Sequence, residues 1–218
     1  SFGFYTPETG IIKDIGTAEE HLSKKDFSIP VNNMFIGHVR SATIGTVNKK
    51  NAHPFNYGNI VLAMNGTLTN AWDLCRKHEL ALQDYDVDTQ VLAAILNKEQ
   101  KKDILTKILG GCAIIYTDTN TNKMYCYRND DRPLYRGTFE GGMYISSIES
   151  SLKIIGCTDT KEFKADNLYE IQNGAVKNTW KVKRAIAPVI TYNNSDLVDD
   201  EIGKFLNVQF HNIKGIEL

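Results

Sequence analysis

Three short blocks of sequence between residues 37 and 70 combine side chains that could bind a small anion. They are G-H-V-R-S-A-T-I-G at 37–45, N-A-H-P-F at 51–55 and A-M-N-G-T-L-T-N at 63–70. Arg40 follows an apolar run, and its planar guanidinium matches a carboxylate through two parallel hydrogen bonds. Asn65 and Gly66 can direct a side-chain amide and a backbone N–H at one developing negative charge. The pattern therefore predicts a site that binds an anion and stabilises an oxyanion.

These blocks resemble those of the class II glutamine amidotransferases, the N-terminal-nucleophile hydrolases that release ammonia from glutamine. Members of that family read close to G-H-x-R-x-A-T-x-G, then N-A-H-P, then H-N-G-x-[IL]-x-N. A fourth block, D-T-Q-V-L at 88–92, is similar to the family's D-T-E-V-[IL], and further matches follow at 111–116, 132–135 and 146–150. The resemblance covers residues 1 to about 180. Each block alone is weak evidence, whereas their fixed order and spacing are specific.

Composition sets broad limits on the class of protein. The chain has 218 residues, 42% of them hydrophobic and 23% charged, which is ordinary for a globular protein with one large domain or two small ones. A formal net charge of −1 argues against nucleic-acid binding, which normally requires a basic excess. The longest apolar runs are much shorter than a membrane span, and no signal peptide is visible at the N-terminus.

The cysteines and histidines give no metal or disulfide pattern. Cys75, Cys112, Cys126 and Cys157 are widely spaced without a C-x-x-C pair, and no H-x-x-x-H or H-E-x-x-H motif is present. We therefore expect reduced thiols, a cytoplasmic location and no cofactor.

The distribution of apolar runs predicts an α+β fold. We expect strands at 2–5, 34–40, 60–65, 112–117, 124–128, 143–147, 168–172 and 175–181, and helices at 17–23, 70–77, 89–96, 102–109 and 147–154. Asn70 and Asp88 occupy positions where they could cap their helices. The family resemblance implies a four-layer αββα sandwich over residues 1–190. Residues 191–218 are expected to form a C-terminal tail that packs on this domain or on a partner.

The resemblance also implies that the first residue is the nucleophile and that its α-amine is the general base. A free α-amine titrates near 7.7–8.0, which suits a base at neutral pH. This chain begins with Ser1, whereas the family begins with cysteine. Either Ser1 is the nucleophile, natively or through a deliberate change from cysteine, or a cysteine precedes Ser1. A serine here would act slowly, since its hydroxyl is harder to deprotonate than a thiol.

The remaining site residues follow from the resemblance. Arg40 is expected to bind the substrate's α-carboxylate, and Asp88 its α-ammonium group. Asn65 and Gly66 are expected to form the oxyanion hole.

Residues 43–55 resemble the family's glutamine loop, a lid that would place Thr43 and His53 against the substrate. His53 would either shape the pocket or hydrogen-bond the loop backbone, and His38 is expected to pack structurally. Lys49 and Lys50 would be the solvated tip of the lid. Arg132 belongs to an R-P-L turn with a mainly architectural role.

The predicted activity is hydrolysis of L-glutamine to glutamate and ammonia, with the ammonia passed to an acceptor on a separate synthase subunit. Two alternatives stay open: a catalytically silent glutamine-binding module, and a different N-terminal-nucleophile amidohydrolase. Arg40 and Asp88 together argue against the latter, because they would recognise the free α-carboxylate and α-ammonium of one amino acid.

Overall fold

Short apolar segments bounded by turn residues fold into antiparallel strands in this chain. The computed structural model describes residues 1–23, 34–40, 46–99 and 101–184. Over these ranges the strands are β1 (Phe2–Thr6), β2 (Gly10–Asp14), β3 (Ile36–Val39), β4 (Phe55–Tyr57), β5 (Ile60–Leu68), β6 (Gly110–Asp118), β7 (Lys123–Arg128), β8 (Tyr135–Phe139), β9 (Gly142–Ser146), β10 (Thr158–Glu162), β11 (Asn167–Gln172) and β12 (Ala175–Lys181). The helices are α1 (Ala18–Leu22), α2 (Ala71–Lys77), α3 (Asp88–Lys98), α4 (Lys101–Lys107) and α5 (Glu149–Ile154), with a 3-10 turn at Leu82–Asp84.

The described strands form three antiparallel sheets. The largest has six strands in the order β12-β11-β7-β6-β5-β4. Two three-stranded sheets have the orders β2-β1-β3 and β10-β8-β9. The longest pairing joins β5 to β6, from Ile60 opposite Asp118 to Leu68 opposite Gly110. This pairing runs through the middle of the large sheet and becomes the floor of the site described below.

One face of the six-stranded sheet packs against helices. Alternate side chains of β5, including Leu62 and Met64, share a buried core with α3 and α4. Helix α3 is buried through most of its length, from Asp88 to Leu96. Each fully buried aliphatic side chain of this kind contributes about 1.5–3 kcal/mol, so the α3 contact fixes β5 firmly.

The opposite face of the same sheet packs against the two small sheets. Ala113 and Cys126 share a cluster with Leu134 and Phe163, next to the β10-β8-β9 sheet. Val61 packs with Tyr5 of β1 and with Met34, on the side of the β2-β1-β3 sheet. Helix α5 contacts all three strands of the β10-β8-β9 sheet.

The structure confirms a mixed α and β fold with antiparallel sheets, and each predicted strand and helix is present with shifted ends. Four strands were not predicted. Strand β4 is only three residues long, β10 (T-D-T-K-E) contains no apolar residue, and β2 and β8 carry few apolar side chains.

Asn70 occupies the N-cap position of α2 as predicted, although its side chain does not cap the helix, whereas the cap predicted at Asp88 is wrong. Asn70 makes no side-chain cap bond to α2; instead its Nδ2 donates to the Lys107 carbonyl at 2.9 Å and its Oδ1 accepts from the Leu109 N–H at 2.8 Å. Helix α3 begins at Asp88 itself, and the cap position belongs to Val87. The Asn70 side chain therefore joins the segment before β6 to the start of α2.

The described residues belong to one compact unit, Ser1–Ala185. The predicted boundary at 190 and the tail at 191–218 lie outside the described residues, so that division stays a prediction. None of the helices described is long and apolar enough to cross a membrane.

We predict that Asn70→Ala lowers the free energy of unfolding by about 1–3 kcal/mol, because one buried donor and one acceptor on the backbone lose their partner. Asn70→Asp keeps the acceptor for Leu109 but removes the donor to Lys107, so its loss should be smaller than that of the alanine variant. Urea unfolding monitored by fluorescence measures both. Equal stability of Asn70→Ala and the unmodified chain would contradict this role.

Candidate active site

A cavity of about 600 Å³ lies on the face of the large sheet that the two small sheets cover. Strands β5 and β6 form its floor, β3 forms one wall, and the turn before β8 with the end of β9 forms the opposite wall. The first residues of α3 close one side. This volume is in the range of small-molecule pockets.

Arg40 lies at the end of β3 on the first wall and is only 8% exposed. Its backbone continues the β1–β3 pairing, since its N–H donates to the Ser1 carbonyl at 2.8 Å and its own carbonyl accepts from the Ser1 amine at 3.4 Å. Burial lowers the pKa of Arg40, and the charge of Asp88 opposes that shift. The strand pairing therefore holds the backbone of Arg40, and the Asp88 carboxylate is near enough for its charge to act on the guanidinium.

Asp88 lines the same cavity from the first turn of α3 and is 3% exposed. Its Oδ2 accepts from the Leu68 N–H at 2.7 Å, and its Oδ1 accepts from the Thr89 N–H at 2.8 Å and the Thr89 hydroxyl at 3.3 Å. Burial raises the pKa of Asp88, while these hydrogen bonds and the charge of Arg40 lower it. The structure thus brings Arg40 and Asp88 to one cavity, as the sequence analysis expected.

Asn65 and Gly66 lie on the floor of the cavity, in β5. Asn65 is opposite Ala113 of β6, and its side chain is exposed. Gly66 has φ +135°, and a Cβ atom there would lie 2.0 Å from the Gly111 carbonyl oxygen. Only glycine fits this position, so the close approach of β5 to β6 depends on it.

Two histidines stack beside the floor. The His53 ring lies 4.2 Å from that of His38, and its Nδ1 accepts from the Met64 N–H at 3.3 Å. Burial lowers the pKa of His53 well below its usual value, and His38, Arg40 and Lys13 add to the shift. His53 lines the cavity, and its ring bonds the backbone of β5 rather than that of the loop.

His38 lines the cavity as well, in addition to the structural packing expected for it, which its ring stack on His53 shows. Burial lowers its pKa to about 4, with Arg40 and the terminal amine adding to the shift and the Met64 backbone opposing it. The site therefore holds two neutral imidazoles at neutral pH.

Ser1 is next to the site, although it is not among the described residues that line the cavity. Its side chain is half-buried, and no described group hydrogen-bonds its Oγ. The backbone bonds to Arg40 place it at the same end of the β1–β3 pairing. Thr43 lies outside the described residues, so its predicted contact with substrate stays a prediction.

The described part of the predicted lid is anchored. Lys49 pairs with Asp14 at 2.9 Å and Lys50 with Asp86 at 3.0 Å, and both lysine side chains stay more than 60% exposed, as expected for a solvated tip. The Asn51 N–H donates to the Asn48 side chain at 2.8 Å. These contacts tie the 46–51 segment to β2 and to the loop that precedes α3.

The opposite wall carries residues to which the sequence analysis gave no ligand role. They are Arg132, Leu134, Ile145, Ser146, Ser147 and Ile148. Their blocks at 132–135 and 146–150 were recognised from sequence, but only as family matches. Among the described residues, no group of three or more His, Cys, Asp or Glu side chains could hold a metal ion, and all four cysteines are free and buried.

Comparison with known proteins agrees with this geometry. A family model described as a glutamine amidotransferase domain matches residues 38–154, which is more than half of the chain. The chain belongs to the class II glutamine amidotransferase family.

Curated relatives share the family over most of this chain. The glutamine–fructose-6-phosphate aminotransferase (isomerizing) of Thermococcus kodakarensis is 33% identical over 194 residues, which are 79% of this chain and 30% of that protein. The amidophosphoribosyltransferase of Methanocaldococcus jannaschii is 26% identical over 181 residues, 75% of this chain and 38% of that protein. The chain thus spans only about a third of the length of these relatives.

A solved structure shows the same fold. The glutamine aminotransferase class-II domain protein from Silicibacter pomeroyi superposes with a TM-score of 0.59 at 15% sequence identity, over 85% of this chain and 92% of that one.

We predict that acid destabilises the fold through His38. An unfolded histidine binds a proton below about pH 6.5, whereas folded His38 does so only near pH 4. The contribution of His38 to stability is therefore constant above pH 6.5 and falls between pH 6.5 and 4, by up to about 3 kcal/mol. Urea unfolding at pH 7.0, 5.5 and 4.5 should show a steeper loss for the unmodified chain than for His38→Phe.

The contributions of other titrating groups to the pH dependence of stability can be separated from that of His38. The lowered pKa of Asp14 acts only below about pH 4, and the raised pKa of Asp88 acts with the opposite sign in both proteins. His53 contributes in the same direction as His38 and is retained in the variant. Parallel pH profiles for the two proteins would refute the assignment to His38.

Proposed function

We propose that this domain hydrolyses L-glutamine to L-glutamate and ammonia. The observation that supports this most is the pair of buried, oppositely charged residues, Arg40 and Asp88, on one cavity whose floor presents Asn65. A guanidinium and a carboxylate at one cavity match the α-carboxylate and α-ammonium of a free amino acid. The γ-amide of glutamine would then extend along the floor toward Asn65.

The reaction begins with attack on the γ-amide carbon by the nucleophile of the first residue. The α-amine accepts the proton of the nucleophile, and the carbonyl oxygen becomes an oxyanion held by the Asn65 side-chain amide and the Gly66 N–H. The same proton passes to the amide nitrogen, and the C–N bond breaks to release ammonia. Water then hydrolyses the ester or thioester and regenerates the nucleophile.

The neutral histidines support this chemistry without taking part in it. His53 accepts the N–H of Met64, the residue before Asn65, and so fixes β5 at the point where the oxyanion hole begins. Because His38 and His53 are uncharged at neutral pH, they do not compete with Arg40 for the substrate carboxylate.

The same proposal includes the arrangement of the layers in the fold and the synthase subunit that would receive the ammonia. The packing of α2–α4, the large sheet, the small sheets and α5 supports a four-layer αββα sandwich. The ammonia would pass to an acceptor on a separate synthase subunit, in the cytoplasm. Two relatives, named as an aminotransferase and a phosphoribosyltransferase, are longer than this chain and are consistent with a synthase partner of that kind.

Arg40 and Asp88 form the two ends of a proposed clamp on the substrate, and this clamp gives a first prediction for binding. Arg40→Ala should weaken L-glutamine binding by more than about 2 kcal/mol, because the substrate carboxylate would be buried without its partner. Arg76→Ala is the matched control and should bind normally, because Arg76 lies on the exposed face of α2, where it pairs with Asp73. Isothermal titration calorimetry measures both, and unchanged affinity in Arg40→Ala would remove this residue from the site.

Asp88→Asn tests the other end of the clamp in the same titration. It should weaken binding of L-glutamine more than that of 4-carbamoylbutanoate, the analogue that lacks the α-amine. Equal losses for both ligands would show that Asp88 acts only through its bonds to Leu68 and Thr89.

The nucleophile makes a second prediction. Ser1→Cys with a free α-amine should release ammonia from glutamine far faster than the Ser1 form, because a thiolate forms more readily than an alkoxide. Asn65→Ala in the cysteine form should lower kcat by about 10² to 10³ with little change in KM. Coupled ammonia assays measure all three proteins.

Two other results would point elsewhere. Comparable rates for the serine and cysteine forms would make Ser1 a competent nucleophile. An inactive Ser1→Cys form that still binds glutamine would favour a silent binding module or a cysteine before Ser1. A chain with a cysteine added before Ser1 separates these two explanations. It would be active if a cysteine precedes Ser1, and inactive if the domain is a silent binding module.

A further inference from the structure

The cavity is larger than one glutamine molecule requires. Its volume is about 600 Å³. The ten non-hydrogen atoms of glutamine take at most about 300 Å³ at the share of volume that a water molecule has in the liquid. About half of the cavity therefore stays unfilled when the amino acid binds. The position and the chemistry of this unfilled part indicate what else the site can take.

The cavity extends across its floor from the β3 wall to the β9 wall. Arg40 lies at the end of β3, which contacts β5, and Asp88 bonds the end of β5 at Leu68. On the other side, the β10-β8-β9 sheet packs over β6 next to Ala113. The proposed clamp is therefore on the β5 side of the floor, and the space beyond Asn65 lies over β6.

Apolar side chains form the floor next to Asn65. Asn65 is opposite Ala113 of β6, and Ala63 is opposite Ile115. Met64 belongs to the core on the helical face of the sheet, and successive side chains of a strand alternate between its two faces. The other four side chains therefore share the face on which the cavity lies. Because adjacent strands are only about 4.8 Å apart, Ala113 lies directly beside a group bound beyond Asn65.

The wall opposite β3 continues this apolar surface. Leu134 lines the cavity from the turn before β8, and Ile145 lines it from β9. Both pack in one cluster with Ala113 and Ile115, so their side chains lie on the side that faces the large sheet. Tyr144, the neighbour of Ile145, is 39% exposed on the other face of β9. Aliphatic side chains therefore line the unfilled part of the cavity next to the proposed oxyanion hole.

We propose that this part of the cavity binds the amine substituent of N-substituted γ-glutamyl amides, and that the domain hydrolyses such amides as well as glutamine. An alkyl or aryl group then replaces one hydrogen of the amide nitrogen. The nucleophile of residue 1 bonds to the γ-carbon, its proton passes to the amide nitrogen, and the C–N bond breaks to release the amine. Water hydrolyses the acyl-enzyme to L-glutamate. This activity rests on the proposed function, because it uses the same clamp and nucleophile.

Calorimetric titration of the full chain tests binding with L-glutamine, γ-glutamyl propylamide and γ-glutamyl ethanolamide. The two substituted amides have equal numbers of non-hydrogen atoms and differ by one hydroxyl. The propylamide should bind about tenfold more tightly than glutamine, since each buried methylene strengthens binding by about fourfold. The ethanolamide should bind about tenfold more weakly than the propylamide, because its hydroxyl would be buried against aliphatic side chains. Weaker binding of the propylamide than of glutamine would overturn the apolar subsite. So would equal or stronger binding of the ethanolamide, which would place the substituent at Ser146 and Ser147 instead.

Two variants of the cavity lining test where the substituent lies. Ile145→Asn should lower the ratio of propylamide affinity to glutamine affinity by about tenfold, because a polar amide replaces an aliphatic contact. Ile115→Phe should lower the same ratio by filling the space from the floor, and it keeps the test valid if the first variant folds poorly. Ile154→Ser is the matched control with an unchanged ratio, because Ile154 is 83% exposed on α5 and does not line the cavity. Unchanged ratios in both cavity variants would overturn the proposal.

Turnover is measured in the unmodified chain and in Ser1→Cys as release of L-glutamate, the product common to both substrates. The form that hydrolyses glutamine should also hydrolyse γ-glutamyl propylamide. Hydrolysis of glutamine alone would overturn the further activity and leave the proposed function standing. Hydrolysis of the propylamide alone would support the further activity and overturn glutamine as the substrate. Hydrolysis of neither would overturn the proposed function, and the further activity with it.

Discussion

The backbone of β5 between Met64 and Leu68 is the constraint on which the rest of the site depends. His53 bonds it at Met64, Asp88 bonds it at Leu68, and β6 pairs with it along its whole length. At Gly66 the two strands approach so closely that a Cβ atom would meet a carbonyl oxygen at 2.0 Å. Three separate segments of the chain are therefore positioned by one strand, and an error in its placement would displace all of them together.

Local sequence was sufficient to predict the positions of residues that belong to a motif. It was insufficient for residues whose partners depend on tertiary packing. Arg40 and Asp88, 48 positions apart, were expected in one site and lie on one cavity. His38 was expected to pack structurally, and its ring does stack on His53, but its position on the cavity was not predicted. Asn70 was assigned as a cap from its position before α2, yet its side chain bonds residues 37 and 39 positions later. Such long-range bonds override local preferences.

Electrostatics separates the charged groups of the site from the neutral ones. His38 and His53 are desolvated in the neighbourhood of Arg40, so their neutral forms are favoured. Asp88 is desolvated too, but three hydrogen bonds and the Arg40 charge oppose its protonation. The same burial therefore acts against the charged form of both kinds of group, and it is opposed by more interactions at Asp88 than at His38. The result is a cavity whose charge is concentrated in a few fixed positions.

Asp88 combines structural hydrogen bonds with the ligand-binding role that we propose for it. A carboxylate has about four acceptor positions, and the Leu68 N–H, the Thr89 N–H and the Thr89 hydroxyl take three of them. These bonds orient the carboxylate and leave capacity for one further donor from the cavity, so little conformational entropy is lost when that donor arrives. Arg40 is part of the same unit, because its charge holds down the pKa that burial raises. Removal of Arg40 would thus remove one of the interactions that keep Asp88 ionised, so the roles that we propose for the two residues are not fully independent.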